Sequence, residues 1–221
     1  MIASQLVNHS LPTLRPQDTV ALAIDCMEEF RIGQLALVEH NVYQGIISEN
    51  TLLDIPNDQL PLNGILSNYQ QTYCFENQHI LECVSLAQKH QLEVVPVLDE
   101  GLQYLGTIAT TELYQTFISL MDTQELGAIL VLSLQSRDYS LSEITRLIEQ
   151  NDTKVISSYF NASGDNSSNG SLTLKLNKTS ISGVVATLER YGYTITSVFA
   201  NDFIQTPDRE RLDMLLHYLN I

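Results

Sequence analysis

The chain has 221 residues, 44% of them apolar, which is enough for one large or two small packed domains. Its formal net charge of −15, from 11 basic and 26 acidic side chains, opposes the counterion release behind most nucleic-acid binding, so DNA and RNA are not expected partners. Apolar runs such as AILVL at 128–132 fall far short of the roughly 20 residues of a membrane helix, and the opening MIASQLVNHSLPTL lacks the basic and apolar regions of a signal peptide. A cytoplasmic protein with no membrane partner is expected.

After DTV at 18–20, Val20, Ala23, Ile24, Met27 and Phe30 recur at helical spacing, with Asp18 placed to cap the helix and Gly33 near its end. LALVE at 35–39, a polar HN turn and VYQGIIS at 42–48 then predict a β-hairpin, followed by a short helix, ENTLLD. Sixty residues on, the order returns: HILECVSLAQKH as helix, EVVPVLD and LQYLGTIA as strands around an EG turn, and TTELYQTFISL as helix. Ala23 falls on Cys83, Met27 on Ala87, Ile32 on Leu92 and Leu37 on Val97, and one inserted residue brings Gly45 onto Gly106. A duplicated unit is predicted.

From residue 127 the pattern changes. GAILVLSL, YSLSEITRLIEQ, VISSYFN, SLTLKLN, SISGVVATLERYG and YTITSVF read as strand, helix, strand, strand, helix, strand, with NASGDNSSNG a turn-rich loop. The βαββαβ order is the split unit of ferredoxin-like folds, a four-stranded antiparallel sheet with two helices on one face. In the tail, Leu212, Leu215, Leu216 and Leu219 predict a docking helix.

Cys26, Cys74 and Cys83 are odd in number and lack CxxC spacing, so no disulfide framework or zinc site is expected. Cys26 and Cys83 read as core fillers. His9, His40, His79, His90 and His217 never fall three or four apart, so no helix presents a metal pair. Residues 1–120 contain only three basic side chains, Arg15, Arg31 and Lys89, against 14 acidic ones. An anionic ligand there has to rely on backbone amides and very few cations.

The repeated helix, strand, hairpin and short helix, with Pro96 and Val97 in the second copy, resembles a pair of CBS domains, and the βαββαβ part resembles an ACT domain. The resemblance implies an α+β fold: CBS repeats at 1–61 and 62–122, an ACT-like domain at 123–205 and a docking helix at 206–221. A CBS pair followed by ACT is the arrangement of bacterial regulators related to acetoin-utilisation proteins.

The resemblance further implies an adenosine-containing effector, such as AMP or ATP, in a cleft between the repeats. The family pattern is Gly, two branched residues, Ser or Thr, two variable residues and Asp, with the hydroxyl toward phosphate and the Asp toward ribose. Gly45, Ile47 and Ser48 match in the first copy, with Thr51 at the Asp position. In the second, Gly106 matches, Ala109 takes the hydroxyl position with Thr110 beside it, and Glu112 stands for the Asp. Two readings therefore stand beside each other: ligand contacts, or helix caps at Ser48 and Thr110 with Gly45 and Gly106 relieving crowding. In the ACT-like part, Arg137 and Asp138 lie in the turn where that family receives amino acids, with Tyr139 at the usual glycine position.

Neither GxSxG nor GxxxxGK[ST] occurs, and both halves resemble regulatory types, so an enzyme is not expected. The reading is a homodimeric sensor acting on an unknown regulated protein; the alternatives are a ligand-free oligomerisation scaffold and an amino-acid sensor working through the ACT-like part.

Overall fold

A computed structural model describes residues 1–68, 70–121, 126–135, 139–162 and 169–200, with the side chains of 66–68 and 169 left aside. The predicted docking helix at 206–221 lies outside the described residues, as do residues 163–168 of the predicted loop at 161–170, whose ends 161–162 and 169–170 belong to strands. The chain divides into two compact units, Met1–Leu120 and Met121–Ile221, and it is α+β throughout.

In the first unit the repeat is visible in the hydrogen bonding. The elements of the first copy are β1 (Thr13–Leu14), α1 (Val20–Phe30), β2 (Gln34–Glu39), β3 (Val42–Ser48) and α2 (Glu49–Leu53). Those of the second are β4 (Cys74–Phe75), α3 (Ile80–His90), β5 (Val94–Leu98), β6 (Tyr104–Ala109) and α4 (Thr110–Leu120). Each copy makes a three-stranded sheet with a short parallel edge strand, β1-β2-β3 and β4-β5-β6. Leu14 pairs with Leu37 where Cys74 pairs with Val97, and helix ends Arg31 and Gln91 both take a left-handed φ, 53° and 52°. Pro96 is tolerated in the central strand because β4 pairs only with Val97 and Leu98, leaving that side of Pro96 without a ladder partner.

The cap of α1 is Thr19, not Asp18: its hydroxyl accepts the Leu22 amide at 3.2 Å, while the Asp18 carboxylate accepts the Arg15 amide at 2.7 Å. Both residue types cap well, and the turn geometry one residue earlier decides between them. The helix also stops at Phe30, short of Gly33.

The recurring glycine has a local cause. Leu37 pairs with Gly45 and Val38 with Tyr43, so Gln44 is the extra residue of a bulge; Val97 pairs with Gly106 and Leu98 with Tyr104, which leaves Leu105 over. Gly45 and Gly106 take φ of 152° and 150°, outside the range that L side chains adopt readily. At Gly106 a Cβ would also collide with the Val7 side chain.

The chain does not keep the two copies apart. Ala3 and Ser4 donate backbone hydrogen bonds to Gln78 and Glu76 at 2.9 and 3.0 Å, and Asn8 donates to Thr107 at 2.9 Å, so the N-terminal segment belongs to the second copy's packing. Ala3 and Ile46 are buried in the cluster formed by Cys74, Ile80, Cys83, Val95, Val97 and Ile108. Conversely, Leu62 and Ile65, beyond the sequence boundary of the first repeat, are buried with Leu14, Met27, Leu37 and Ile47. Cys83 is a core filler as expected, whereas Cys26 is half-buried.

The second unit comprises β7 (Ile129–Gln135), α5 (Leu141–Glu149), β8 (Val155–Ala162), β9 (Asn169–Leu176), α6 (Ser182–Arg190) and β10 (Thr194–Phe199). Its strands run β10-β7-β9-β8, all antiparallel, the ferredoxin-like order. Leu130, Leu132 and Leu134 alternate inward on β7 and meet Ile144, Leu147 and Ile148 of α5 and Val184 and Leu188 of α6 in one core.

Gly106→Ala therefore imposes both a strained backbone and a clash, and is expected to cost about 2 kcal/mol or more. Urea denaturation followed by circular dichroism measures it; a loss below about 0.5 kcal/mol would contradict this account of the glycine.

Candidate functional site

The two strand-to-helix endings are built alike but finished differently. In the first, the Ser48 hydroxyl accepts the Thr51 amide at 3.4 Å and shares a hydrogen bond with the Thr51 hydroxyl at 2.9 Å. Both hydroxyls are only half-buried, whereas Gly45 is buried and Ile47 has no exposed surface and belongs to the first core. Ser48 is thus the cap of α2, as its position suggested.

In the second ending, Thr110 is not a cap. Its hydroxyl donates to the Leu92 carbonyl at 2.7 Å and the residue is buried, because Ala109 supplies no hydroxyl and the chain uses the next one to satisfy a buried carbonyl. Gly106 is covered by Val7, with His9 close behind it. Glu112 is half-buried in the first turn of α4, and among the described residues its carboxylate has no hydrogen-bond partner. Arg137 and Asp138 lie outside the described residues.

Between the endings runs a seam that joins the copies. The Glu49 amide donates to the Gly33 carbonyl at 2.8 Å, and the Thr110 amide donates to the Glu93 carbonyl at 2.9 Å, so Gly33 and Glu93 occupy equivalent places 60 residues apart. The Gly33 amide donates to the Glu93 carboxylate at 2.7 Å, and the Glu93 amide donates to the Gln34 side-chain oxygen at 2.9 Å. The Gln34 side-chain amide then reaches the Gln91 carbonyl at 3.2 Å. One continuous path of hydrogen bonds links the first residue of α2 to the first residue of α4. Its only charge is a carboxylate.

A second polar tie fastens the connecting segment to the first sheet. Ile46 and Gln70 exchange backbone hydrogen bonds at 2.9 and 3.0 Å, and the Tyr43 hydroxyl donates to the Thr72 carbonyl at 2.8 Å. Burial pushes the Tyr43 phenol well above the usual tyrosine range, so it stays a neutral donor.

Gly33, Gln34 and Glu93 are not among the residues that motif reading selects. The equivalence of Gly33 and Glu93 under the 60-residue shift was the available signal, since each immediately precedes the central strand of its copy.

Residues 3–58 match the family model of the CBS domain. Among solved structures the chain is similar to a CBS domain pair/ACT domain protein from Thermotoga maritima, at 17% identity over 54% of this chain and 98% of that one, with a TM-score of 0.49. It is also similar to a putative acetoin utilization protein from Vibrio cholerae, at 21% identity over 56% and 95%, TM-score 0.48. A third is CBSX2 in complex with AMP, at 14% identity over 54% and 97%, TM-score 0.44. Among the described residues no helix is long and apolar enough to cross a membrane.

Thr110→Val keeps the shape but strands the buried Leu92 carbonyl, so it is expected to lower stability by about 1–2 kcal/mol, against a few tenths for Thr51→Val, whose partner Ser48 can turn to water. Equal losses in paired urea titrations would contradict the assignment of the buried role to Thr110.

Proposed function

We propose that the first unit is a non-enzymatic regulatory module whose effector, a compound of the adenosine class, binds at the first strand-to-helix ending and not at the second. The observation that carries this reading is the difference between the copies: Ser48 and Thr51 keep half-exposed hydroxyls 2.9 Å apart, whereas Thr110 is buried on a carbonyl and Gly106 lies under Val7. The CBS family match over residues 3–58 supports the regulatory class.

With Thr51 in place of an Asp, the ribose diol would meet a hydroxyl, which gives a weaker bond than a carboxylate does. The seam beside it holds Glu93 and no cation, so a ligand of low negative charge suits the cleft better than a triphosphate. Binding there pulls on Glu49, whose amide is bonded to Gly33, and the seam passes the change through Glu93 to α4. For the module to switch, the effector must bind two arrangements of the seam with different affinity.

The βαββαβ unit, read as ACT-like, would present that state to a regulated protein, in a homodimer. Self-association is supported by apolar side chains exposed on the outer helices, Leu22, Leu53, Leu81 and Tyr114. One observation favours the scaffold reading instead: the hydroxyls of Ser48, Thr51 and Thr110 already have protein partners.

A thermal-shift series with adenosine, AMP, ADP, ATP and S-adenosylmethionine separates the two. Stabilisation by adenosine or S-adenosylmethionine exceeding that by ATP, lost in Ser48→Ala and strengthened about tenfold in affinity by Thr51→Asp, is expected. No shift with any of the five, in a protein that remains a stable dimer, supports the scaffold.

A further inference from the structure

The first sheet carries a hollow of about 620 Å³ at the end of β1 and β2 away from the strand-to-helix ending. Thr13 of β1 with Arg15 and Gln17 of the connection to α1 forms one wall; Glu39 at the end of β2 with His40 and Asn41 of the hairpin tip forms the other. The size falls within the roughly 300–1,000 Å³ of small-molecule sites.

Its charges are arranged unusually. Arg15 is one of three basic residues among the first 120, and among the described residues its guanidinium has no hydrogen-bond or ion-pair partner. Asp18, the nearest carboxylate in the loop, is turned onto the Arg15 main-chain amide at 2.7 Å. Glu39 faces the same hollow, held by the Gln17 side-chain amide at 2.7 Å through one oxygen, and among the described residues the other oxygen has no hydrogen-bond partner. Opposite charges that share a hollow without pairing with each other match a ligand carrying both signs.

The second copy provides an internal control. Shifted by 60 residues, Thr13 and Arg15 become Tyr73 and Phe75, whose rings pack edge to face at 5.5 Å, and Tyr73 also meets Tyr43 at 5.9 Å. Glu39 becomes Asp99, whose carboxylate is spent on the Gln103 amide at 2.8 Å. One scaffold thus occurs twice, with packed aromatic rings at these positions in one copy and polar and charged side chains in the other. Packing alone favours the rings.

We propose that this hollow binds a small zwitterion of the amino-acid class, with its carboxylate on Arg15 and its ammonium on Glu39. The site is separate from the cleft at Ser48 and Thr51. Titration of the full-length protein with the common L-amino acids, with propionate and with ethylamine, read by calorimetry, tests it. At least one amino acid is expected to bind, with affinity reduced about tenfold or more in Arg15→Ala and in Glu39→Gln. Glu100→Gln, the charge change at the equivalent hairpin tip, is expected to leave binding unchanged. Unfolding midpoints of the unliganded variants keep a folding defect apart from a binding loss. Absence of binding by every amino acid, equal binding of propionate or ethylamine alone, or binding that survives Arg15→Ala would overturn the proposal. The adenosine series reads the other cleft, so either reading can fail without the other.

Discussion

Neither copy of the repeat closes a hydrophobic core by itself. The second core is completed by Ala3 from the N-terminal segment and Ile46 from β3, and the first by Leu62 and Ile65 from beyond its own sequence boundary. Burying such side chains fully is worth about 1.5–3 kcal/mol for each of the larger ones, a sizeable fraction of the roughly 5–15 kcal/mol by which a domain is stable. Separating the copies would expose both sets at once. The backbone contacts of the N-terminal segment with the second copy and of the connecting segment with the first accompany this exchange of core residues.

The exchange places two backbone endings beside one another and leaves Gly33 facing Glu93. A glycine amide and a carboxylate form a charge-assisted hydrogen bond there, short at 2.7 Å, which ties one copy to the other. The same exchange sends the N-terminal segment over Gly106, so that the second ending is covered where the first is not covered by this segment. The two sheets differ again at their far ends, where Thr13 and Arg15 stand at the positions of the packed rings of Tyr73 and Phe75.

Much of this was legible in the sequence, for physical reasons. Alternating Leu130, Leu132 and Leu134, and the paired hairpins with Gly45 and Gly106, obey periods that local sterics impose, so the βαββαβ order and the repeat could be read directly. Strands of two residues, Thr13–Leu14 and Cys74–Phe75, are too short to show alternation and exist only because a neighbouring strand is there to pair with. The choice of Thr19 over Asp18 as cap turns on one loop hydrogen bond. The docking of residues 1–8 on the second copy and the Gly33–Glu93 contact depend on tertiary proximity across some 60 to 100 residues, and the burial of Thr110 on Leu92 on proximity across 18, which no local pattern encodes. Candidate residues were therefore found where the motif is local, and their exposure was found only in three dimensions.

If the copies share their cores, they open together. Native-state hydrogen exchange on the full-length protein, followed at the core amides of β2 and β5 over increasing denaturant, measures this most directly. The account predicts that Leu35, Leu37, Val95 and Val97 converge on one opening free energy with one denaturant slope. A β5 set that opens at markedly lower free energy and with a smaller slope than the β2 set would show two independent domains and contradict it.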